Sequence, residues 1–289
     1  MKIFIAGGSG SLGYDLSLLL SKNHKIISTY RSHTRKKKLI NNQSLVWKKI
    51  NLEKKINLNI RPDIIINCLA THPFSKNKNL IDYFNSHILA VKNLIDFAIK
   101  TKTKMIINMS TVSVYSIDNK RNFIREDDLI NFNNILSVTK YFGEKILENS
   151  FVSHLNLRLP AILTSDINNK RTWISNLINN IKFSKDIILF NSQKSYNSLL
   201  DSLEISNFIE YIIKKKNIVG TYNFVPFESE KLFNLVIFIK EYFNSNSRII
   251  LKKNKKKLFF YKTRKLQQKT RYKTPQIKFI LKRYLDRYY

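Results

Sequence analysis

The 289-residue chain has a single cysteine, Cys68. One thiol excludes an intramolecular disulfide framework and suits a reducing compartment, so a cytoplasmic location is expected. No apolar run approaches the roughly 18–20 residues that a bilayer crossing needs. The opening segment MKIFIAGGSG runs at once into glycines and lacks the longer apolar stretch of a signal peptide. Internal repeats and long linkers are missing, and no metal-ligand pattern is read. Acidic side chains are few, 20 against 51 Lys plus Arg, which sets the formal net charge at +31.

That charge invites a nucleic-acid or membrane-surface reading. The basic residues are nevertheless spread along the chain, Asn and Ile are abundant, and Ala and Gly are scarce, a drift that affects surface positions generally. Hydrophobic residues make up 43% of the chain, which excludes a disordered basic tail protein. Nucleic acid is therefore the disfavoured partner, and peripheral membrane contact stays open. The stretch 251–289 keeps both options, because its basic and aromatic residues are interleaved. Its closing Ile277, Ile280, Leu281, Tyr284 and Leu285 equally describe a helix packed on a core.

Short apolar strands alternate with amphipathic helices. Strands are expected at Lys2–Ala6, His24–Thr29, Ser44–Lys48, Asp63–Leu69, Lys104–Met109 and Leu155–Leu159, and helices after Gly10, over Ile81–Lys100 and over Ser137–Glu148. This rhythm predicts an α/β fold, a Rossmann-like doubly wound parallel sheet covered on both faces. Beyond residue 165 the rhythm loosens. The expected division is a dinucleotide-binding domain at 1–165, with 195–225 returning to it, and a smaller substrate-binding part from 166–194 and 226–289.

Gly7-x-x-Gly10-x-x-Gly13 lies between the first strand and the first helix. The first glycine permits the tight turn, the second lets backbone approach a pyrophosphate, and the third permits close helix–strand contact. The helix start at Ser11 and Leu12 then offers its backbone N–H groups and a positive dipole end to phosphate. A flexible turn without a ligand is the bland alternative. At the end of the second strand, Ser28-Thr29-Tyr30-Arg31-Ser32, no acidic residue waits for a ribose 2′-hydroxyl. Arg31, Arg35 and Lys36 suit a 2′-phosphate instead, which favours NADP(H) slightly over NAD(H); otherwise they are solvated loop charges.

Taken together, these segments resemble the extended short-chain dehydrogenase/reductases, the NAD-dependent epimerase/dehydratase group. The resemblance covers about residues 1–235 and rests on the glycine motif, Arg61–Ala70, Ser110–Tyr115, Glu126-Asp127-Asp128, Thr139–Lys145, Leu157–Pro160, Leu200–Leu203 and Gly220–Asn223. It implies a nicotinamide cofactor, a nucleotide-sugar substrate in polysaccharide or glycoconjugate assembly, and a homodimer. Leu69 and Ala70 would border the cofactor, Asn51 and Leu52 would lie near the adenine, and Thr111 would hold a substrate hydroxyl. Lys140 would be the lysine of the family's Tyr-x-x-x-Lys pair, binding the nicotinamide ribose.

The residue four before Lys140 is Leu136, where the family carries its catalytic tyrosine. A second Tyr-x-x-x-Lys, Tyr141 with Lys145, follows closely. The family's tyrosine stands ten residues after the loop Glu and 25 after the Ser/Thr; counted from Glu126 and Thr111, both intervals land on Leu136. Tyr141 lies about 140° away on a helix of 3.6 residues per turn. Leucine carries no transferable proton, so Tyr115, Tyr141 or water would have to take over, with Glu126 assisting or orienting substrate. The alternative is a catalytically weak or inactive NADP(H)-binding protein with a regulatory or complex-forming role. His87 replaces the family's usual Asn and reads as a packed helix residue, or less often as a proton group. Arg158 reads as half of a structural ion pair, and Cys68 as a buried small residue.

Overall fold

A computed structural model describes residues 1–32, 39, 41–71, 79–116, 123–167, 172–215, 218–252 and 260–289. Seven strands form the central sheet: β1 (Lys2–Ala6), β2 (Lys25–Tyr30), β3 (Leu45–Lys49), β4 (Ile64–Asn67), β5 (Met105–Thr111), β6 (His154–Leu159) and β7 (Gly220–Asn223). Their order is β3-β2-β1-β4-β5-β6-β7, and every pairing is parallel. The expected α/β architecture is present. Chain order reverses between β1 and β4, and the carboxyl ends of strands at such a switch point frame a ligand crevice.

Alternation along β1 shows why both faces are covered. Ile3 and Ile5 join Leu16 and Leu20 of α1 (Ser11–Leu20) and Ile205, Phe208 and Ile209 of a later helix. Phe4 and Ala6 point the other way, against Leu94, Ile95 and Phe97. The latter belong to a helical stretch that begins as α2 (Leu80–Phe84) and ends as α3 (Ala90–Thr101). Between them Asn85–Leu89 is a π-turn, in which the Ala90 N–H bonds to Asn85 O. The apolar spacing of 81–100 predicts one straight helix; the extra residue of the π-turn is the difference.

The helix α4 (Ile135–Glu148) packs beside that stretch. Gly143 allows the approach, since a Cβ there would sit 2.5 Å from His87 O. Further on come α5 (Trp173–Lys182), α6 (Ser202–Lys214), α7 (Leu232–Tyr242), α8 (Arg264–Thr270) and α9 (Ile277–Tyr288). Ile178 and Ile181 of α5, Val236 and Ile239 of α7, and Leu281 and Leu285 of α9 belong to a second core. The closing helix therefore spends its apolar stripe on packing. A parallel pair, Ile187–Phe190 with Ile249–Lys252, also lies in this part. Residues 253–259, which hold most of the densest basic run, lie outside the described residues, as do Arg35 and Lys36.

Under α4 a ladder of buried amides crosses four strands. Asn67 Nδ2 donates to Asn108 Oδ1 at 2.8 Å, and Asn108 Nδ2 to Asn156 Oδ1 at 2.8 Å. Asn156 Nδ2 donates to Thr221 Oγ1 at 3.0 Å, and Thr221 Oγ1 to Glu148 Oε1 at 2.7 Å. The other end accepts the Leu69 N–H on Asn67 Oδ1 at 3.1 Å. The ladder exists because the parallel register puts Asn67 beside Asn108, Asn108 beside Asn156 and Asn156 beside Thr221. Each buried amide is thereby satisfied by its neighbour.

Candidate active site

The glycine turn closes the end of β1. Gly7 has φ +77°, a conformation that side chains with a Cβ rarely adopt. Gly13 sits against the turn so closely that a Cβ would lie 2.4 Å from Gly7 O. A Cβ on Gly10, by contrast, would meet only Gly7 O at 3.1 Å and otherwise open space. Gly10 also caps α1 without a side-chain hydrogen bond. The N-cap thus supplies no side chain to the first N–H groups of α1, and the start of a helix is the donor set a pyrophosphate needs. Ser11 Oγ donates to Asp166 Oδ2 at 3.4 Å, while Leu12 is half-buried against the core. Buried Asp15 ties the same helix to the Ser165 N–H at 2.8 Å and to Ser202 Oγ at 2.7 Å.

Across the crevice, Lys140 on α4 is buried, and its ammonium donates to Leu69 O at 2.8 Å and Met109 O at 2.9 Å. Those carbonyls belong to the segment just after β4 and to β5. Burial lowers the Lys140 pKa to about 8, against the opposing influence of Cys68 and Glu144. Burial also pushes the Cys68 thiol up to about 12. Leu69 is half-buried and Ala70 exposed. Thr111 ends β5 half-buried; its Oγ1 accepts the Ser113 N–H at 3.1 Å, leaving the hydroxyl proton for another acceptor.

Leu136 lies one turn before Lys140 on α4, about 40° round the helix from it, half-buried. Tyr141 is turned about 100° from Lys140. It lines a cleft of about 310 Å³ with Glu126, Lys145, Glu148, Arg158 and Thr221. The Lys145 ammonium stands 5.2 Å from its ring centroid and pairs with Glu148 at 2.6 Å. The second Tyr-x-x-x-Lys thus faces this cleft, while Leu136 shares the Lys140 side of the helix.

Tyr115 is buried in an ionic network. Its hydroxyl accepts from Arg158 Nη1 at 2.9 Å and donates to Asn223 Oδ1 at 2.5 Å. Burial pushes the phenol well above its ordinary range, with Arg158 opposing. Arg158 itself grips the fully buried Glu144, with Nη2 to Oε2 at 2.7 Å, and Ser110 Oγ donates to the same carboxylate. Glu126 accepts the Asn223 N–H at 2.9 Å and lends its own carbonyl to Arg158 at 2.9 Å. Burial raises its pKa, against those hydrogen bonds and charges. Tyr115 and Glu126 therefore sit together in a network that holds the loop to β6 and β7. The structural pairing of Arg158 is found, and so is the packed role of His87. His87 Nε2 accepts the Thr71 N–H at 3.0 Å and Nδ1 lies 2.8 Å from Thr139 Oγ1, whose own proton goes to Ile135 O at 2.7 Å. These bonds assign the proton to Nδ1. Burial first, and then the Lys140 charge, lower the His87 pKa to about 2.

Arg31 is expected to face a 2′-phosphate because no acid follows β2 directly in sequence. The structure supplies one from elsewhere: Arg31 Nη1 donates to Glu53 Oε1. Glu53 follows Asn51, whose Oδ1 accepts its N–H at 3.0 Å, and Leu52, whose carbonyl accepts from Asn93 Nδ2 at 3.0 Å. Leu52 is buried and Asn51 exposed. Residue 53 is 22 positions from residue 31, so only the parallel pairing of β2 with β3 brings the two together.

The sequence profile of the NAD dependent epimerase/dehydratase family matches residues 3–224. A dTDP-D-glucose 4,6-dehydratase of Dictyostelium discoideum is 27% identical over 258 residues, covering 77% of this chain and 57% of that protein. The chain thus spans little more than half the length of this curated relative. Among solved structures, the Bordetella bronchiseptica enzyme WbmG in complex with NAD and UDP superposes with a TM-score of 0.82 at 16% identity, covering 99% of this chain and 95% of that one. The UDP-glucose 4-epimerase of Thermotoga maritima with UDP-glucose gives 0.80 at 15% identity, with 99% of both chains covered.

Proposed function

Since the chain belongs to the NAD dependent epimerase/dehydratase family, we propose that it binds a nicotinamide dinucleotide between the glycine turn and Lys140 and acts on the sugar of a nucleotide-sugar. The observation that carries this reading is the placement of Lys140, its ammonium held by Leu69 O and Met109 O beside the Gly7–Gly13 turn. The open backbone at Gly10 and the N–H groups of Ser11 and Leu12 fit a pyrophosphate. Leu69 and Ala70 border the same crevice, and Asn51 and Leu52 flank its adenosine end. When bound, the nicotinamide supplies the hydride donor or acceptor. The chain's own part is to orient a ribose by the Lys140 ammonium and to hold a sugar hydroxyl by Thr111. The smaller part, 166–194 and 226–289, would take the nucleotide. Protein folds resembling this one have been solved with UDP or UDP-glucose, and uridine and thymidine nucleotide-sugars are the substrates to test. Within the family the segment pattern resembles that of dTDP-4-dehydrorhamnose reductases, which adds a dTDP-4-dehydro sugar to the panel. Such a step would serve polysaccharide or glycoconjugate assembly in the cytoplasm.

Proton transfer is the weak point of the site. Leu136 bears no proton, Tyr115 is engaged by Arg158 and Asn223, and Tyr141 lines the cleft with Glu126 and Arg158. These positions support a second reading, a dinucleotide-binding protein with slow or no turnover. Loss of a well-placed acid/base group costs about 10²–10⁴ in rate. Leu136→Tyr should therefore raise turnover by up to about that factor on a nucleotide-sugar the wild type binds. Unchanged turnover in Leu136→Tyr, with Tyr141→Phe inactive, would move the catalytic register to Tyr141.

The homodimer implied by the resemblance is part of the same proposal. Leu80, Ile81 and Phe84 on α2 are exposed, as is Phe142 on α4, and these two helices pack together. A second copy of this chain would cover that apolar face.

A further inference from the structure

We infer that Glu53 selects the coenzyme: its carboxylate accepts an adenosine ribose hydroxyl and, by pairing with Arg31, masks that guanidinium from a 2′-phosphate. The inference rests on the dinucleotide reading of the glycine turn, and it reverses the preference that the bare sequence suggests.

The geometry begins at the turn itself. The Gly7 N–H donates to Thr29 Oγ1 at 3.0 Å and the Ser9 N–H to Thr29 O at 3.2 Å. The end of β2 is thereby fixed to the phosphate-binding turn, and Arg31 is two residues beyond Thr29. Strand β3 runs parallel to β2, and the Ile50 N–H continues the ladder to Tyr30 O at 2.9 Å. The chain then turns back. Asn51 Oδ1 accepts the Glu53 N–H, Asn51 O accepts the Lys54 N–H at 3.1 Å, and Asn93 of α3 holds Leu52 O from beneath. This turn, anchored at three points, carries the Glu53 side chain over Arg31. Arg31 lies just beyond the carboxyl end of β2, which neighbours β1, and Glu53 beyond that of β3, which neighbours β2, on the side of the crevice where an adenosine ribose follows the pyrophosphate.

Chemistry decides what such a pair prefers. The ion pair uses Glu53 Oε1, and Oε2 is left to accept from a ribose hydroxyl. A carboxylate accepts but cannot donate, so it matches a diol and opposes a phosphate. A 2′-phosphate would bring about two negative charges against Glu53 and would have to pull Arg31 away from it. The side chains are 57% and 25% exposed, and an exposed pair contributes little to stability. Its consequence lies in which ligand it admits.

Calorimetric titration of NADH and NADPH tests this with the intact chain, in wild type, Glu53→Gln, and Glu53→Gln combined with Arg31→Ala. The Arg31–Glu53 pair is partly exposed and the turn's backbone bonds do not involve the carboxylate, so Glu53→Gln should melt as the wild type does. Wild type should bind NADH more tightly than NADPH. In Glu53→Gln the affinity ratio should move toward NADPH by about tenfold, the scale of one charge-assisted hydrogen bond. Adding Arg31→Ala should cancel that gain. Ratios between variants are the readout, because the +31 chain attracts any anion. A ratio unchanged in Glu53→Gln, or a wild type that prefers NADPH, overturns the inference and leaves the dinucleotide reading standing. Binding of neither coenzyme by wild type overturns both.

Discussion

Burial treats the two basic side chains of the α3–α4 interface differently. Lys140 keeps its charge near neutrality because its ammonium finds two carbonyls, although desolvation brings its pKa to about 8. His87, on the π-turn that packs against α4, has both ring nitrogens engaged as a neutral ring. Its pKa of about 2 makes a pH prediction. Below about 6.5, the ordinary histidine value, the unfolded chain takes up a proton that the native ring refuses. Stability from this group is therefore present above about 6.5 and is lost as pH falls toward 2. His87→Gln, which keeps an acceptor for Thr71 and removes the titration, should lose less thermal stability than wild type between pH 7 and pH 5. Equal losses would mean that other groups govern the acid limb.

Single residues were unevenly legible. The glycines announced themselves because three of the six in the chain recur at fixed spacing between a strand and a helix. The Leu136 register rests on intervals alone, and Tyr141 lines a cleft with Glu126 and Arg158. Glu53 carried no signal, since its relation to Arg31 is created by strand pairing and a turn. Tyr115 reads as a candidate proton group in sequence, yet three-dimensional packing commits its hydroxyl to Arg158 and Asn223.

Among the elements of the first 165 residues, helices and strands follow the apolar periodicity, with the π-turn at Asn85–Leu89 as a departure; α7, α8 and the strand Ile249–Lys252 are not foreseen from the sequence. One inserted residue leaves the spacing of 81–100 looking like plain helix, while it redirects the His87 carbonyl toward α4. Gly143 is the complement of that carbonyl. In an ordinary helix interior, Gly→Ala stabilises by up to about 1 kcal/mol. Here the new Cβ would lie 2.5 Å from His87 O, a backbone atom, and overpacking costs about 1–3 kcal/mol. Steric overlap should win, so Gly143→Ala should lower the midpoint of denaturant unfolding. A raised midpoint would show that the two helices separate easily. The amide ladder was equally hidden: Asn67, Asn108 and Asn156 look like unrelated polar residues until the parallel register stacks them.

Across the whole molecule, the largest apolar clusters divide between the sheet with its helices and the later part of the chain. The sheet and its helices hold the glycine turn and Lys140, and α5, α7 and α9 close the second core. The uniform basic surface explains little of this arrangement. Among the described residues no helix is long and apolar enough to cross a membrane. Leu80, Ile81, Phe84 and Phe142 are exposed on two helices that pack together, and exposed apolar side chains brought together in this way suit an interaction site. Sedimentation should find a dimer, and Phe142→Glu should shift it to monomer while leaving the melting profile of the fold intact. A wild-type monomer at all concentrations would assign that face to another partner.

The central claim is that the turn at Gly7–Gly13 and the buried Lys140 form a dinucleotide site. Calorimetric titration of the purified chain with NADH tests it most directly, with Gly10→Val as the paired variant. A Cβ at Gly10 would meet one neighbour, Gly7 O at 3.1 Å, so the variant's melting profile is measured beside its binding, while its side chain fills the place a pyrophosphate needs. The predicted result is saturable one-to-one binding by wild type and its loss in Gly10→Val. No binding by wild type, or equal binding by the two, would contradict it.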